Sequence, residues 1–259
     1  MIETIEILGV KVHNLTMSTT LERMEEFIHT KQPHIICTPN IDYIIQAQGD
    51  HELKRILNEA DLSIPDGMGV VRGSWILGKP LLGNVGGRLV VPRFCELAAR
   101  KGYTVYLLGS RPGIADKAGE NLKREFPNLR IVGTHHGYFT KEEEKELIVD
   151  IRELRPDALF IAFGTPMQEK WMSEHAMELN VPILMGIGST FDRISGVRKI
   201  PPTWMTDVGL ECLYRLFQEP KRLGKKHLLE DPVFFYLILK DRVKNSYHRH
   251  EVREKRDVR

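Results

Sequence analysis

Cysteine is scarce: Cys37, Cys95 and Cys212 stand far apart in 259 residues. They make no disulfide framework and no paired metal-ligand spacing, which excludes a stapled secreted module. Long hydrophobic runs are missing too. The longest, Val233 to Leu239, falls far short of the roughly 20 residues that cross a bilayer. Met1 to Glu6 carries neither the basic segment nor the apolar core of a signal peptide. A cytoplasmic protein with reduced thiols is expected. Several signatures are also absent: a Walker A sequence, an H-E-x-x-H helix and a G-x-S-x-G elbow. Gly67-Met68-Gly69-Val70-Val71-Arg72-Gly73 brings its third glycine one residue late for a dinucleotide fingerprint, and Gly186-Ile187-Gly188-Ser189-Thr190-Phe191 has Phe at that position. A nicotinamide dehydrogenase is therefore not expected. There is no Asp-x-Asp pair to hold a divalent ion against a diphosphate. His135 and His136 are adjacent, so on a strand they would face opposite sides. Neither a metal nor an organic cofactor is expected.

Charge of one sign is not in excess overall, at 37 basic against 35 acidic residues. It is distributed unevenly: residues 195–259 carry a net +6 and the remainder a net −4. A basic tail on an acidic body points to an anionic partner such as a membrane surface, a phosphate or a nucleic acid, with simple solvation as the alternative. Nucleic acid is the weakest of these, because the tail lacks interleaved aromatics over a groove-sized surface.

What is present is a regular alternation of apolar strands and amphipathic helices. Ile5 to Val10 reads as a first strand and Thr19 to His29 as a helix. His34 to Cys37 is a short buried strand, and Leu62 to Ile64 another, stopped by Pro65. Strands follow at Tyr103–Ser110, Leu129–Gly133, Ala158–Pro166 and Val181–Thr190, with helices between them. Continuous apolar strands alternating with helices predict an α/β fold. The expected architecture is a Rossmann-like, mostly parallel sheet with helices on both faces, residues 1–195, followed by a basic helical appendage, residues 196–259.

The chemistry is expected at the ends of those strands, where open α/β sheets bind ligands. Asp66 sits just past a strand end with Gly67 and Gly69 beside it, which suits a general base and equally suits a helix cap. Thr38 and Asn40 project from the same edge, as site residues or as helix initiators. Three strands end alike, in Leu108-Gly109-Ser110, Phe163-Gly164-Thr165 and Ile187-Gly188-Ser189. Small residues and free backbone amides at helix starts favour a nucleotide or diphosphate ligand. Gln168 opens the next helix, with an amide able to read a base or a sugar.

These residues carry a resemblance. Thr38-Pro39-Asn40, Pro65-Asp66-Gly67-Met68-Gly69, Phe163 through Glu169, Gly186 through Asp192 and Gly209 through Pro220 run in the order found in the WecG/TagA/CpsF family of bacterial glycosyltransferases. The chain resembles most the TagA branch, which moves N-acetylmannosamine from its UDP derivative to undecaprenyl-diphosphate-N-acetylglucosamine in wall teichoic acid synthesis. It departs from the family where Asn84-Val85-Gly86-Gly87 replaces Arg-Val-x-Gly. The resemblance implies an inverting transfer with Asp66 as base, Thr38 and Asn40 orienting a sugar, and Gln168 binding the donor. It implies as partners a UDP-N-acetylhexosamine, a polyprenyl-diphosphate acceptor and the inner face of the cell membrane. A homo-oligomer is left open. So are another UDP-hexosamine donor and a non-catalytic UDP-sugar or polyprenyl-phosphate binder. Trp204 to Phe217 reads as amphipathic, with Leu210, Leu213, Tyr214 and Phe217 on one face. With a lipid-linked acceptor in view, Arg215, Arg222 and Lys225 are expected to meet its diphosphate at the membrane.

Overall fold

The computed structural model describes residues 2–198 and 231–257, with side chains in the final helix through Lys244. The chain opens not with one strand but with a hairpin, β1 (Thr4–Ile7) against β2 (Val10–His13). Leu8 and Gly9 turn it with φ of 50° and 78°, the double positive φ of a type I′ turn. Helix α1 (Met17–Thr30) starts at a Thr16 capping box and leads to β3 (His34–Cys37).

Next come α2 (Ile41–Gln46), α3 (His51–Glu59), β4 (Leu62–Ser63), α4 (Met68–Ile76) and α5 (Gly87–Lys101). The βα rhythm then holds through β5 (Thr104–Gly109), α6 (Ile114–Glu125), β6 (Arg130–His135), α7 (Lys141–Leu154), β7 (Ala158–Ala162), α8 (Met167–Leu179), β8 (Ile183–Gly186) and α9 (Thr190–Ile194). Beyond the undescribed stretch lies α10 (Asp231–Asp257).

Six strands form a parallel sheet in the order β4-β3-β8-β7-β5-β6. Successive side chains of a strand point to opposite faces, and here both faces are apolar. Leu159 and Ile161 of β7 join a core with Tyr43, Leu57, Ile148 and Met172. Phe160, between them, joins the other core with Met24, Phe94, Leu122 and Phe191. This two-sided burial is the continuous apolar reading of the strands, and the fold is the expected Rossmann-like α/β sandwich.

Helix α10 packs back on the body. Phe234 and Ile238 are fully buried in the first core, and Arg242 Nη1 donates to the Ile76 carbonyl at the end of α4 at 2.7 Å. Among the described residues no helix is long and apolar enough to cross a membrane. Trp204 to Phe217, Arg215, Arg222 and Lys225 lie outside the described residues.

Candidate active site

At the carboxyl ends of β3 and β4 two loops are tied by their backbones. The Asp66 N–H donates to the Pro39 carbonyl at 3.0 Å. Gly67 follows with φ of 91°, a conformation in which a side chain would be strained. Its N–H donates to Asn84 Oδ1 at 2.9 Å, and the same oxygen accepts from Gly86 at 3.1 Å. The Val85 N–H closes the set on the Pro65 carbonyl at 3.0 Å. Asn84 is thus the staple that binds the loop before α5 to the loop carrying Asp66.

The half-buried Asp66 side chain lies against Gly86. A Cβ on Gly86 would overlap the Asp66 carboxyl and come within 2.8 Å of its Cβ. Helix α4 (Met68–Ile76) has Gly67 as its N-cap residue, which places Asp66 immediately before the helix. Its two neighbours are committed differently. Asn40 caps α2, its Oδ1 accepting from the Tyr43 N–H at 3.2 Å. Thr38 is buried, and its hydroxyl donates across the sheet to the Gly186 carbonyl at 3.0 Å, joining β3 to β8.

Three adjacent strands, β8, β7 and β5, carry the three glycine loops to one cavity of about 630 Å³. Ser110, Arg111, Tyr138, Gly164, Gly188, Ser189, Asp192 and Arg198 are among its walls. The sequence suggested free amides there, and the structure corrects this at three positions. Gly164 and Gly188 donate to Gln168 Oε1 at 3.2 and 3.1 Å, and Ser110 donates to the Ala162 carbonyl at 2.9 Å. Positive charge comes instead from side chains. Arg111 Nη2 stands 3.9 Å from Asp192 Oδ1, and Arg198 Nη1 donates to Ser189 Oγ at 3.0 Å. Two guanidiniums and an exposed phenol around one cleft suit a diphosphate attached to a flat ring.

Beneath this cavity sits a buried polar cluster. Gln168 and Glu169 are both fully buried. Gln168 Nε2 donates to Tyr43 Oη at 2.6 Å and to Glu169 Oε1 at 2.8 Å. With its oxygen accepting twice, the carboxamide has every hydrogen-bonding position filled by protein. Glu169 Oε2 accepts from Thr165 Oγ1 at 2.7 Å.

The sequence reading names Glu169 only as the end of a motif and gives it no role, yet a signal existed. Met172, Ala176 and Leu179 mark the buried stripe of α8, and stepping that stripe back by four and three residues reaches Gln168 and Glu169. Burial pushes the Glu169 carboxyl up from its ordinary range, against the pull of its hydrogen bonds to Thr165, Gln168 and Tyr43. A carboxylate whose folded pKa is raised costs stability above that pKa, and the cost fades as pH falls through it. Glu169→Gln is therefore expected to raise the Tm by about 2–4 °C in mildly alkaline buffer. The gain should shrink as pH approaches the ordinary glutamate range of about 4–5. A melting series across pH that gives no gain at high pH, or a gain growing toward acid, would contradict the burial cost.

Among the described residues no group of three His, Cys, Asp or Glu side chains is arranged to hold a metal ion. His135 Nδ1 is engaged with the His136 carbonyl at 2.8 Å.

A family model described as the Glycosyl transferase WecG/TagA/CpsF family matches residues 5–248. The chain is also 29% identical over 238 residues to a protein of Staphylococcus aureus (strain MW2) named N-acetylglucosaminyldiphosphoundecaprenol N-acetyl-beta-D-mannosaminyltransferase, covering 91% of this chain and 92% of that one. A protein of the same name from Staphylococcus aureus (strain NCTC 8325 / PS 47) matches at the same identity and coverage.

Proposed function

Because this chain belongs to the Glycosyl transferase WecG/TagA/CpsF family, we propose that it transfers N-acetylmannosamine from UDP-N-acetylmannosamine to undecaprenyl-diphosphate-N-acetylglucosamine, building the linkage unit of wall teichoic acid. The name of its Staphylococcus aureus relatives supports this donor sugar and this acceptor. One observation supports the mechanism above the others: the Asp66 carboxyl, packed against Gly86, stands past the end of β4 on the same sheet edge where the ends of β8, β7 and β5 open on a cleft flanked by arginines. In the proposed step the acceptor hydroxyl attacks the anomeric carbon. Asp66 takes its proton as the new C–O bond forms, and the bond to the UDP oxygen breaks on the opposite face. The transfer is inverting. Arg111 and Arg198 face the departing diphosphate and offset its charge without a metal ion.

Thr38 and Asn40 shape the sugar side of the site, their side chains fixed by Gly186 and Tyr43. Gln168 acts on the donor through the two glycine loops that it ties. Arg215, Arg222 and Lys225 are proposed to meet the lipid-linked diphosphate, within a basic appendage of residues 196–259 that rests peripherally on the anionic inner face of the membrane. Phe234 and Ile238 fasten its α10 to the body.

The test is turnover of UDP-N-acetylmannosamine with a short-chain prenyl-diphosphate-N-acetylglucosamine acceptor, with and without excess EDTA. The disaccharide product is expected at equal rates in both arms. UDP binding without turnover would mark a non-catalytic binding protein. Activity lost in EDTA and restored by magnesium would show a metal-dependent transfer.

A further inference from the structure

A carboxamide is nearly symmetric in shape, so only its partners decide which end is oxygen. At Gln168 the oxygen end meets two backbone donors, Gly164 and Gly188. These two amides belong to loops of different strands, β7 and β8, and both loops wall the cavity. The nitrogen end meets Glu169 Oε1 and Tyr43 Oη. Tyr43 is buried, and its phenol oxygen accepts from Gln168 at 2.6 Å. A carboxylate only accepts, so the chain of bonds runs in one direction: amide N–H to carboxylate and to phenol oxygen, glycine N–H groups to amide oxygen. Reversing Gln168 would set its oxygen against Glu169 and its N–H groups against two glycine N–H groups.

We propose that Glu169 and Tyr43 are positioning residues that lock the orientation of Gln168, and through it fix the spacing of the Gly164 and Gly188 loops around the donor cavity. This rests on the reading of that cavity as a UDP-sugar site and goes beyond it, because the pair touches no substrate. Tyr43 comes from α2, which starts at Asn40. The lock therefore also ties the Thr38–Asn40 side of the site to the donor side, across 125 residues of sequence.

The experiment uses the full chain and reads hydrogen exchange at the Gly164 and Gly188 amides, UDP affinity by calorimetry, and kcat against KM for UDP-N-acetylmannosamine. Glu169→Leu keeps bulk but removes both acceptor oxygens. It is expected to speed exchange at both glycines roughly tenfold or more and to weaken UDP binding and raise the donor KM by a similar factor, with kcat within about threefold. Glu169→Gln, which still offers an oxygen to Gln168, should restore most of each effect. A space-filling role predicts the reverse, with Leu tolerated as well as Gln. Tyr43→Phe keeps the ring and is expected to show the same pattern in smaller measure, and it decides the matter if Glu169→Leu does not fold. Parental exchange at Gly164 and Gly188 in Glu169→Leu, or in Tyr43→Phe where it must stand in, overturns the lock. Altered exchange with unchanged UDP affinity and KM overturns the link to the donor. A parent protein that neither binds UDP nor turns over the sugar overturns the donor reading alone, and the exchange data still decide the lock.

Discussion

Asp66→Asn is expected to fold like the parent and to turn over the sugar donor about 10²-fold more slowly or worse, the scale of a lost general base. Asparagine matches aspartate in shape. The contacts that hold this loop are made by backbone, from Asp66 to Pro39 and from Gly67 to Asn84, and neither needs the carboxylate. The loss should fall on kcat, with donor KM within a few-fold, because what disappears is proton acceptance in the transition state. Rates at saturating donor, beside a thermal melt to confirm folding, measure it. A variant with near-parental kcat takes Asp66 out of the reaction.

The second large effect comes from a residue with no chemistry of its own. Gly86→Ala is expected to lower kcat about tenfold or more while leaving the sheet and both cores in place. Gly86 has φ of −62°, so alanine is permitted by the backbone and the difficulty is purely one of space. Its methyl would occupy the volume now held by the Asp66 carboxyl, and the acid must swing out of position. Combining the two substitutions tests the cause. In the Asp66→Asn background the alanine should add little further loss, since the group it displaces has already been disabled. Independent, multiplying losses would mean that Gly86 acts on something else.

Much of this architecture was legible in the residues. Phe160 and its neighbours form an unbroken apolar run because both faces of β7 are covered, and such runs alternating with helices imply a parallel sheet. β4 ends at Ser63, one residue short of the expected Leu62–Ile64 strand, and Asp66 follows Pro65 at the sheet edge. The hairpin was hidden because its turn is two residues long and one of them, Leu8, adopts a positive φ that leucine seldom takes. The fate of the glycine amides was hidden for another reason. Gln168 reads as a helix-opening amide able to meet a base or a sugar, and only the fold brings Tyr43 and two loops onto it. Asn84 was legible only as a departure from a motif; its part as a staple depends on Gly67, distant in sequence. The attachment of α10 depends on pairing Phe234 with Gly73 of α4, where any side chain would collide with its ring.

The sheet order has a bearing on how the molecule comes into being. Among the described residues β8 is the last strand made, yet it sits at the centre, between β3 and β7. Until it leaves the ribosome the six-stranded sheet can exist only as two parts, β4-β3 and β7-β5-β6, each with an open apolar edge that invites association with other chains. The half bearing Asp66 and the half bearing the glycine loops cannot be set in register before Ile183–Gly186 inserts between them. A chain cut short before that point therefore carries Asp66 and the β5 and β7 loops but lacks Gly188, Ser189, Asp192 and Arg198, and has no site. Synthesis of this protein should depend on chaperones more than its modest size suggests, with aggregation arising from truncated products rather than from the finished fold.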